Sequence, residues 1–245
     1  KGMMDVGYTV KSGGGHASAP KPGAPVDRLS AACVRMVKHP FKAKLTPPVA
    51  QMFDTLGRYS TFVYKIIFAN IKLFLPVLDL ICKKSGGELN ALMRTTVAFT
   101  QMQGSSASNV IPPEASMVSN IRLNPADKMD SALAYIKKTV GDDKVEVTRL
   151  HGMNPSRISR TDCAGYDKVA SAVASTWKGC VVTPYLMVQC SDSRHWGRIS
   201  DKVYRFSAMD LTAQERSTIH GHNERIRLDC ACRAVEFFQR LIKQC

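Results

Sequence analysis

Apolar and polar positions alternate in several stretches of this chain and recur at helical spacing in others. Residues 115–123 (ASMVSNIRL) put Met117, Ile121 and Leu123 on one side and Ser116, Asn120 and Arg122 on the other, the period of a half-buried strand. Residues 5–11 (DVGYTVK) and 144–150 (KVEVTRL) alternate similarly, and residues 94–102 (RTTVAFTQM) are rich in Thr, Val and Phe. Residues 24–38 predict a helix with the stripe Leu29, Cys33, Val34 and Val37, stopped by Pro40. Residues 125–140 predict another, with Asn124 as N-cap, Pro125 in the first turn and Met129, Leu133 and Ile136 marking its face. Strand, helix, two strands, helix, strand is the order of a ferredoxin-like split βαβ sandwich, an α+β unit over residues 6–150.

One helical block, at about residues 48–90, interrupts that unit. Its centre, TFVYKIIFANIKLFLPVLDLIC (61–82), is very apolar. A membrane span is disfavoured by Lys65, Asn70, Lys72, Pro76 and Asp79, since a charge at mid-span costs about 2.5–3.5 kcal/mol. The pattern predicts instead a helical insert packed on the sandwich. Beyond His151 the character changes. A helix is predicted at 163–177, a strand and loop at 184–196, a strand at 202–207, and a loop at 218–226 opening into a last helix with Ile226, Cys230, Ala234, Phe238 and Leu241 in register. Mixed elements here suggest an α/β layer, but they are too few to close a doubly covered sheet alone.

The chain has 245 residues, 44% hydrophobic and 22% charged, an ordinary globular composition. Its net charge of +14 is not ordinary. Such a charge suits nucleic acid, but the cations are scattered, with no run of five, and aromatics are only 7% of the chain. Nucleic-acid binding is therefore the weakest of the functional readings. Eight cysteines occur without a Cys-x-x-Cys pair, which predicts free thiols in a reducing, cytoplasmic compartment. The opening KGMMDVGYTV has no signal peptide and reads as the middle of a longer protein.

Candidate chemistry sits in three loops. SGGGHASAP (12–20) presents His16 on glycine-rich backbone, which permits positive φ and close approach. Pro112-Pro113 stiffens the loop bearing Asn109, and Arg122 points off the following strand; an amide and a guanidinium together can hold a carbonyl oxygen and a carboxylate. CSDSRHW (190–196) offers Asp192, Arg194 and His195, where the plain alternative is an Asp192–Arg194 ion pair. IHGHNERI (219–226) offers His220 with Glu224 as a carboxylate to orient it; the plain alternative is an N-capping Asn223.

GGHASAP, Asn-Val-Ile-Pro followed by Ile-Arg, Asp-x-Arg-His and His-Gly-x-Asn-Glu together resemble the zinc-dependent aminoacylase and carboxypeptidase superfamily, in the style of its carboxypeptidase S-like members. The resemblance covers essentially the whole chain. It implies a lid and dimerisation domain at 6–150, preceded by the end of a catalytic-domain segment (1–5) and followed by the C-terminal part of an α/β zinc-peptidase domain (151–245). It implies hydrolysis of an amide bond in a dipeptide or N-acyl amino acid with a free carboxylate. A water bridging two zinc ions would attack the carbonyl, with a glutamate as base. His220 would be a zinc ligand, Glu224 and Asp192 its supporting carboxylates, and Arg122 and Arg194 the carboxylate clamp. His16, reaching into the partner subunit of a homodimer, and Asn109 would assist at the oxyanion. Cys190 stands where members carry a small residue.

The resemblance also shows what to look for elsewhere. Members carry a His-x-Asp motif and a Glu-Glu pair before the lid, and neither occurs here. One His cannot hold two zinc ions. The expected partner is therefore an acidic N-terminal half of the catalytic domain, whose separation accounts for the excess positive charge. The rival reading is a non-catalytic chain acting through its lid in dimerisation or regulation.

Overall fold

The computed structural model describes residues 1–245. Strand β1 (Gly2–Lys11) leads into a two-residue strand β2 (Gly15–His16) and helix α1 (Pro25–Lys38). Four helices follow: α2 (Pro47–Arg58), α3 (Phe62–Ala69), α4 (Ile71–Ser85) and α5 (Gly87–Met93). Then come β3 (Thr96–Gln103), the short β4 (Val110–Ile111), β5 (Glu114–Leu123), α6 (Met129–Val140) and β6 (Glu146–Met153). The remainder holds α7 (Ala164–Thr176), a 3-10 turn at Asp192–Arg198, α8 (Ala213–Ser217) and α9 (Leu228–Ile242).

The main sheet has the order β3-β5-β1-β6, antiparallel throughout. β1 and β5 pair without interruption from Gly2↔Leu123 to Lys11↔Glu114. Joining β1 to β3 thus requires a crossover past β5, supplied by α1 and the insert, and α6 makes the second crossover to β6. That is the split βαβ plan, and the fold is mixed α/β. Alternation decides which face is buried. Met4, Val6, Tyr8 and Val10 of β1, with Ala115, Met117, Ile121 and Leu123 of β5, point into one core with Leu29, Ala32 and Met36 of α1 and Ala132, Ile136 and Val140 of α6. Gly152 is required on β6, because a Cβ there would lie 2.8 Å from Met3 O across the ladder.

Several expectations need correction. The α1 stripe is Pro25, Leu29, Ala32 and Met36, whereas Val34 and Val37 are exposed. The buried set keeps to i, i+3 and i+4 steps from Pro25, which turns Val34 and Val37 outward. α6 begins at Met129 rather than Pro125, because Asn124 caps a local turn instead: its Oδ1 accepts from Ala126 N–H at 2.9 Å. The apolar block is split at Ser60–Thr61 and again at Asn70, which ends α3 and starts α4. In α9 the inward residues are Cys230, Ala234, Phe237 and Leu241; Ile226 and Phe238 are exposed.

The strand expected within 184–196, ahead of its loop, and the strand expected at 202–207 are not formed. No N–H of residues 181–190 donates to a backbone carbonyl. A strand exists only as one side of a ladder, and these segments have no neighbour to complete one.

Candidate active-site residues

β2 and β4 form a separate ribbon in which His16 pairs with Val110, and Ala17 N–H donates to Asn109 O at 2.9 Å. His16 and Asn109 are thereby brought side by side. Gly14 makes the turn possible with φ +65°. The His16 ring is set by Ser18, whose backbone N–H donates to Nδ1 at 3.1 Å while its Oγ lies 2.8 Å from the same nitrogen. A nitrogen that accepts carries no proton, so the neutral ring keeps its proton on Nε2, the end facing away. An exposed Nε2–H donor is what a developing oxyanion needs. Ser18 belongs to the GGHASAP motif that carries the resemblance, and its place two residues from His16 lets it hold the ring.

Arg122 lies on the sheet face opposite the core, beside Asn120, which donates to Asp5 Oδ1 at 2.5 Å. Its Nη1 donates to Cys190 Sγ at 3.2 Å. The sheet and the 190–195 turn therefore meet at this guanidinium. Ser191 caps the turn by accepting from Ser193 N–H at 3.3 Å. Arg194 makes no ion pair with Asp192; its Nε approaches His195 Nε2 at 3.5 Å. Arg194 instead lines an open groove with Arg157 and Arg198, a cationic setting for a carboxylate. Asp192 is exposed and makes no ion pair or side-chain hydrogen bond with the other candidates.

Arg205 was not foreseen, although an Arg inside the apolar run KVYRFS was a visible anomaly. Its Nε donates to Ser193 Oγ at 2.7 Å and its Nη2 to Ser156 Oγ at 2.9 Å, and burial pushes its guanidinium below the ordinary value. It ties the 190–195 turn to the segment leaving β6. Arg205 also borders a cavity of ≈ 280 Å³ walled by the unpaired extended segments, among them Val182, Leu186, Val203 and Phe206.

His220 and Asn223 are the two non-glycine residues with positive φ, at 63° and 60°. Both fall in one exposed turn; αL backbone is uncommon outside glycine, and His and Asn are among the types that adopt it most readily. Glu224 does not orient the His220 ring as expected; its Oε2 accepts from the His220 backbone N–H at 3.1 Å and braces the turn. Asn223 does not cap the helix either, since Arg227 is the N-cap of α9. No hydrogen bond joins His220 to His16, Asn109, Arg122 or Arg194.

The β1–β6 unit and its ribbon match a family profile described as a peptidase dimerisation domain, of the M20 group, over residues 1–148. The chain belongs to the M20 peptidase dimerisation-domain family. This M20 chain is 28% identical over 244 residues to a probable carboxypeptidase S-like 2 from Dictyostelium discoideum, covering 99% of the chain and 47% of that protein. It is 33% identical over 245 residues to the N-fatty-acyl-amino acid synthase/hydrolase PM20D1 of Xenopus tropicalis, covering 99% and 48%. In fold it is similar to an M20 family metallo-carboxypeptidase, Sso-CP2, from Sulfolobus solfataricus, with TM-score 0.67 at 15% identity, covering 99% of this chain and 58% of that one. The M20 chain spans about half the length of the curated relatives it matches.

A zinc centre takes at least three protein ligands. In this M20 chain no three His, Cys, Asp or Glu side chains converge. The donors present do not by themselves fit a metal site, and His220 stands alone.

Proposed function

We propose that this chain is the lid and C-terminal portion of an M20 amidohydrolase that cleaves the amide bond of an N-acyl amino acid or dipeptide bearing a free carboxylate. The observation that carries the reading is the junction at Arg122, where the lid sheet meets the turn bearing Arg194. Guanidinium groups from the two sides suit a carboxylate through paired hydrogen bonds. The relatives over nearly the whole chain are a carboxypeptidase S-like protein and an N-fatty-acyl-amino acid synthase/hydrolase, which supports the same substrate class. His16, held as an Nε2–H donor, and Asn109 serve the oxyanion, and the exposed His16 acts across a homodimer.

The division at residues 1–5, 6–150 and 151–245 is part of this proposal. So is a further portion of the protein that pairs with the extended segments around the cavity and supplies the acidic ligands of a two-zinc centre, to which His220 adds one. The left-handed turn holding His220 supports a functional role there, since such backbone concentrates at working sites. A reducing, cytoplasmic setting is supported by eight unpaired cysteines. No helix is long and apolar enough to cross a membrane. A second reading, lid-mediated dimerisation or regulation without catalysis, is favoured by the lack of a three-ligand cluster in this chain.

The test uses the full-length protein with N-acyl amino acids and their carboxamide analogues. Arg122→Ala and Arg194→Ala are each expected to lower kcat/KM by about 10- to 100-fold on the free acid. On the carboxamide they are expected to have little effect. Equal losses on both substrates, or none, would overturn the carboxylate assignment. No turnover by the complete protein would favour the second reading.

A further inference from the structure

Helix α3 breaks the rule that an all-round apolar helix is buried. Its sequence, FVYKIIFA, has one charge in eight residues, and none of the eight is buried. Phe62 is 76% exposed, Val63 64% and Ile66 44%. It is held down on one side, where Phe68 stacks on Phe53 of α2 with ring centroids 5.2 Å apart. α4 continues the exposure through Leu73, Val77 and Leu80 at i, i+4 and i+7, with Leu73 75% exposed. A shorter exposed row runs along α9 through Leu228, Val235, Phe238 and Ile242, but here such side chains follow one another along two consecutive helices.

Charge identifies what covers them. Between Arg58 and Ser85 the cations are Arg58, Lys65, Lys72, Lys83 and Lys84, all exposed. The lone acid in that interval, Asp79, is taken up by Arg94 and Lys83. Arg58 is paired with the exposed carboxylate of Asp54 at 2.9 Å, so the surface is apolar with Lys65, Lys72 and Lys84 as its unpaired cationic collar. Tyr59 and Tyr64 stand at its edge, and an amphipathic ring of this kind favours a headgroup boundary. α3 is exposed around most of its circumference rather than along one stripe, which suits an apolar medium better than a groove on another protein. Eight residues reach about 12 Å, far short of a hydrocarbon core of about 30 Å.

We propose that the α3–α4 pair is an interfacial docking surface for an anionic lipid layer, lying in the headgroup boundary without spanning it. The helices insert Phe62, Val63, Leu73 and Leu80, and the lysines meet lipid phosphates and carboxylates. This stands apart from the hydrolase reading, since it is measured without turnover.

The experiment is co-sedimentation of the full-length protein with phosphatidylcholine vesicles, with and without phosphatidylserine. Binding is expected to the phosphatidylserine vesicles, weaker without it, and weakened by salt. Phe62→Asp with Leu73→Asp is expected to weaken binding by at least about tenfold, and Lys65→Ser or Lys72→Ser by about fivefold each. These side chains are exposed, so the variants are expected to fold; an unchanged thermal midpoint checks this, and Leu80→Asp gives an independent probe. Failure of the native protein to bind either vesicle overturns the proposal. So does binding that the aspartate variants leave unchanged. A change of oligomeric state in those variants by light scattering, with vesicle binding intact, assigns the face to a second copy and overturns it as well.

Discussion

The lid and the C-terminal region are of the same protein but are stabilised very differently. The lid gathers 17 buried side chains between a fully laddered sheet and two helices. The region after Met153 gathers four, Ala172, Val173, Ala208 and Phe237, mainly where α7 meets α9. Its extended segments have no ladder, and Ile199, Leu228 and Ile242 are each at least 70% exposed. Burial is the main favourable term in folding and scales with the apolar area covered. The lid therefore holds most of the buried apolar core, and the C-terminal region holds little of it. The insert joins them: its cluster of Val49, Met52, Phe53, Cys82, Leu92 and Met93 also includes Leu186 from the far side.

The largest expected effect comes from breaking that joint. Arg94, 1% exposed, donates to Asn90 Oδ1 at 2.7 Å, to Phe41 O at 2.8 Å and to the Asp79 carboxylate. Asp79→Ala leaves a buried guanidinium without its counter-charge and is expected to cost about 3–5 kcal/mol in urea unfolding. A loss below about 1 kcal/mol, the value of a surface pair, would mean that the joint is not what holds the insert. The pH dependence has a definite sign. Burial alone would raise the Asp79 carboxyl, but hydrogen bonds from Lys83 and Arg94 outweigh it and hold it below 3.8. Its contribution is therefore present above 3.8 and lost as pH falls through the lower folded value. Asp79→Ala should flatten this acid limb.

A smaller effect separates the two regions directly. Ile136, fully buried under the sheet, is expected to cost the lid about 2–5 kcal/mol as Ile136→Ala. Phe237 packs on Trp177 with centroids 5.9 Å apart, so indole fluorescence reports on the C-terminal core. Phe237→Ala should shift the fluorescence transition and leave the far-ultraviolet dichroism of the sheet unmoved, and Ile136→Ala should do the reverse. If both variants shift both signals together, the regions unfold as one unit and the contrast fails.

The same contrast explains what was legible in the sequence. Alternation fixed the faces of β1 and β5, down to Arg122 pointing away from the core, because each strand has neighbours on both sides that enforce the period. The segments 184–190 and 202–207 have equally strand-like composition, yet composition cannot supply a neighbour. Local pattern also failed where a side chain found a nearer partner: Asn124 turned to Ala126 N–H, and Glu224 to the His220 backbone. Among the candidate residues, the nearness of the His16 and Asn109 backbones follows from a ribbon of two residues per strand, in which His16 pairs with Val110, too short to announce itself by period. Arg205 was hidden because its partners, Ser193 and Ser156, lie 12 and 49 residues away.

The smallest expected effect tests the lid's interior at a single contact. Tyr8 Oη and Ser119 Oγ are 2.9 Å apart, both buried, on neighbouring strands. Tyr8→Phe leaves the Ser119 hydroxyl without a partner and is expected to cost about 1–3 kcal/mol, whereas adding Ser119→Ala removes the orphan and should recover part of that loss. The pair also sets an alkaline limit. Burial pushes the Tyr8 phenol up from 10.0 to about 12, against the opposing Ser119 hydrogen bond. The folded state holds this proton more tightly than the unfolded chain, so the contribution is complete below 10 and is lost as pH rises toward 12. Tyr8→Phe has no such proton to lose. Its stability curve should therefore stay flatter than that of the native protein in this window, and equal slopes would show that Tyr8 does not govern the lid's alkaline unfolding.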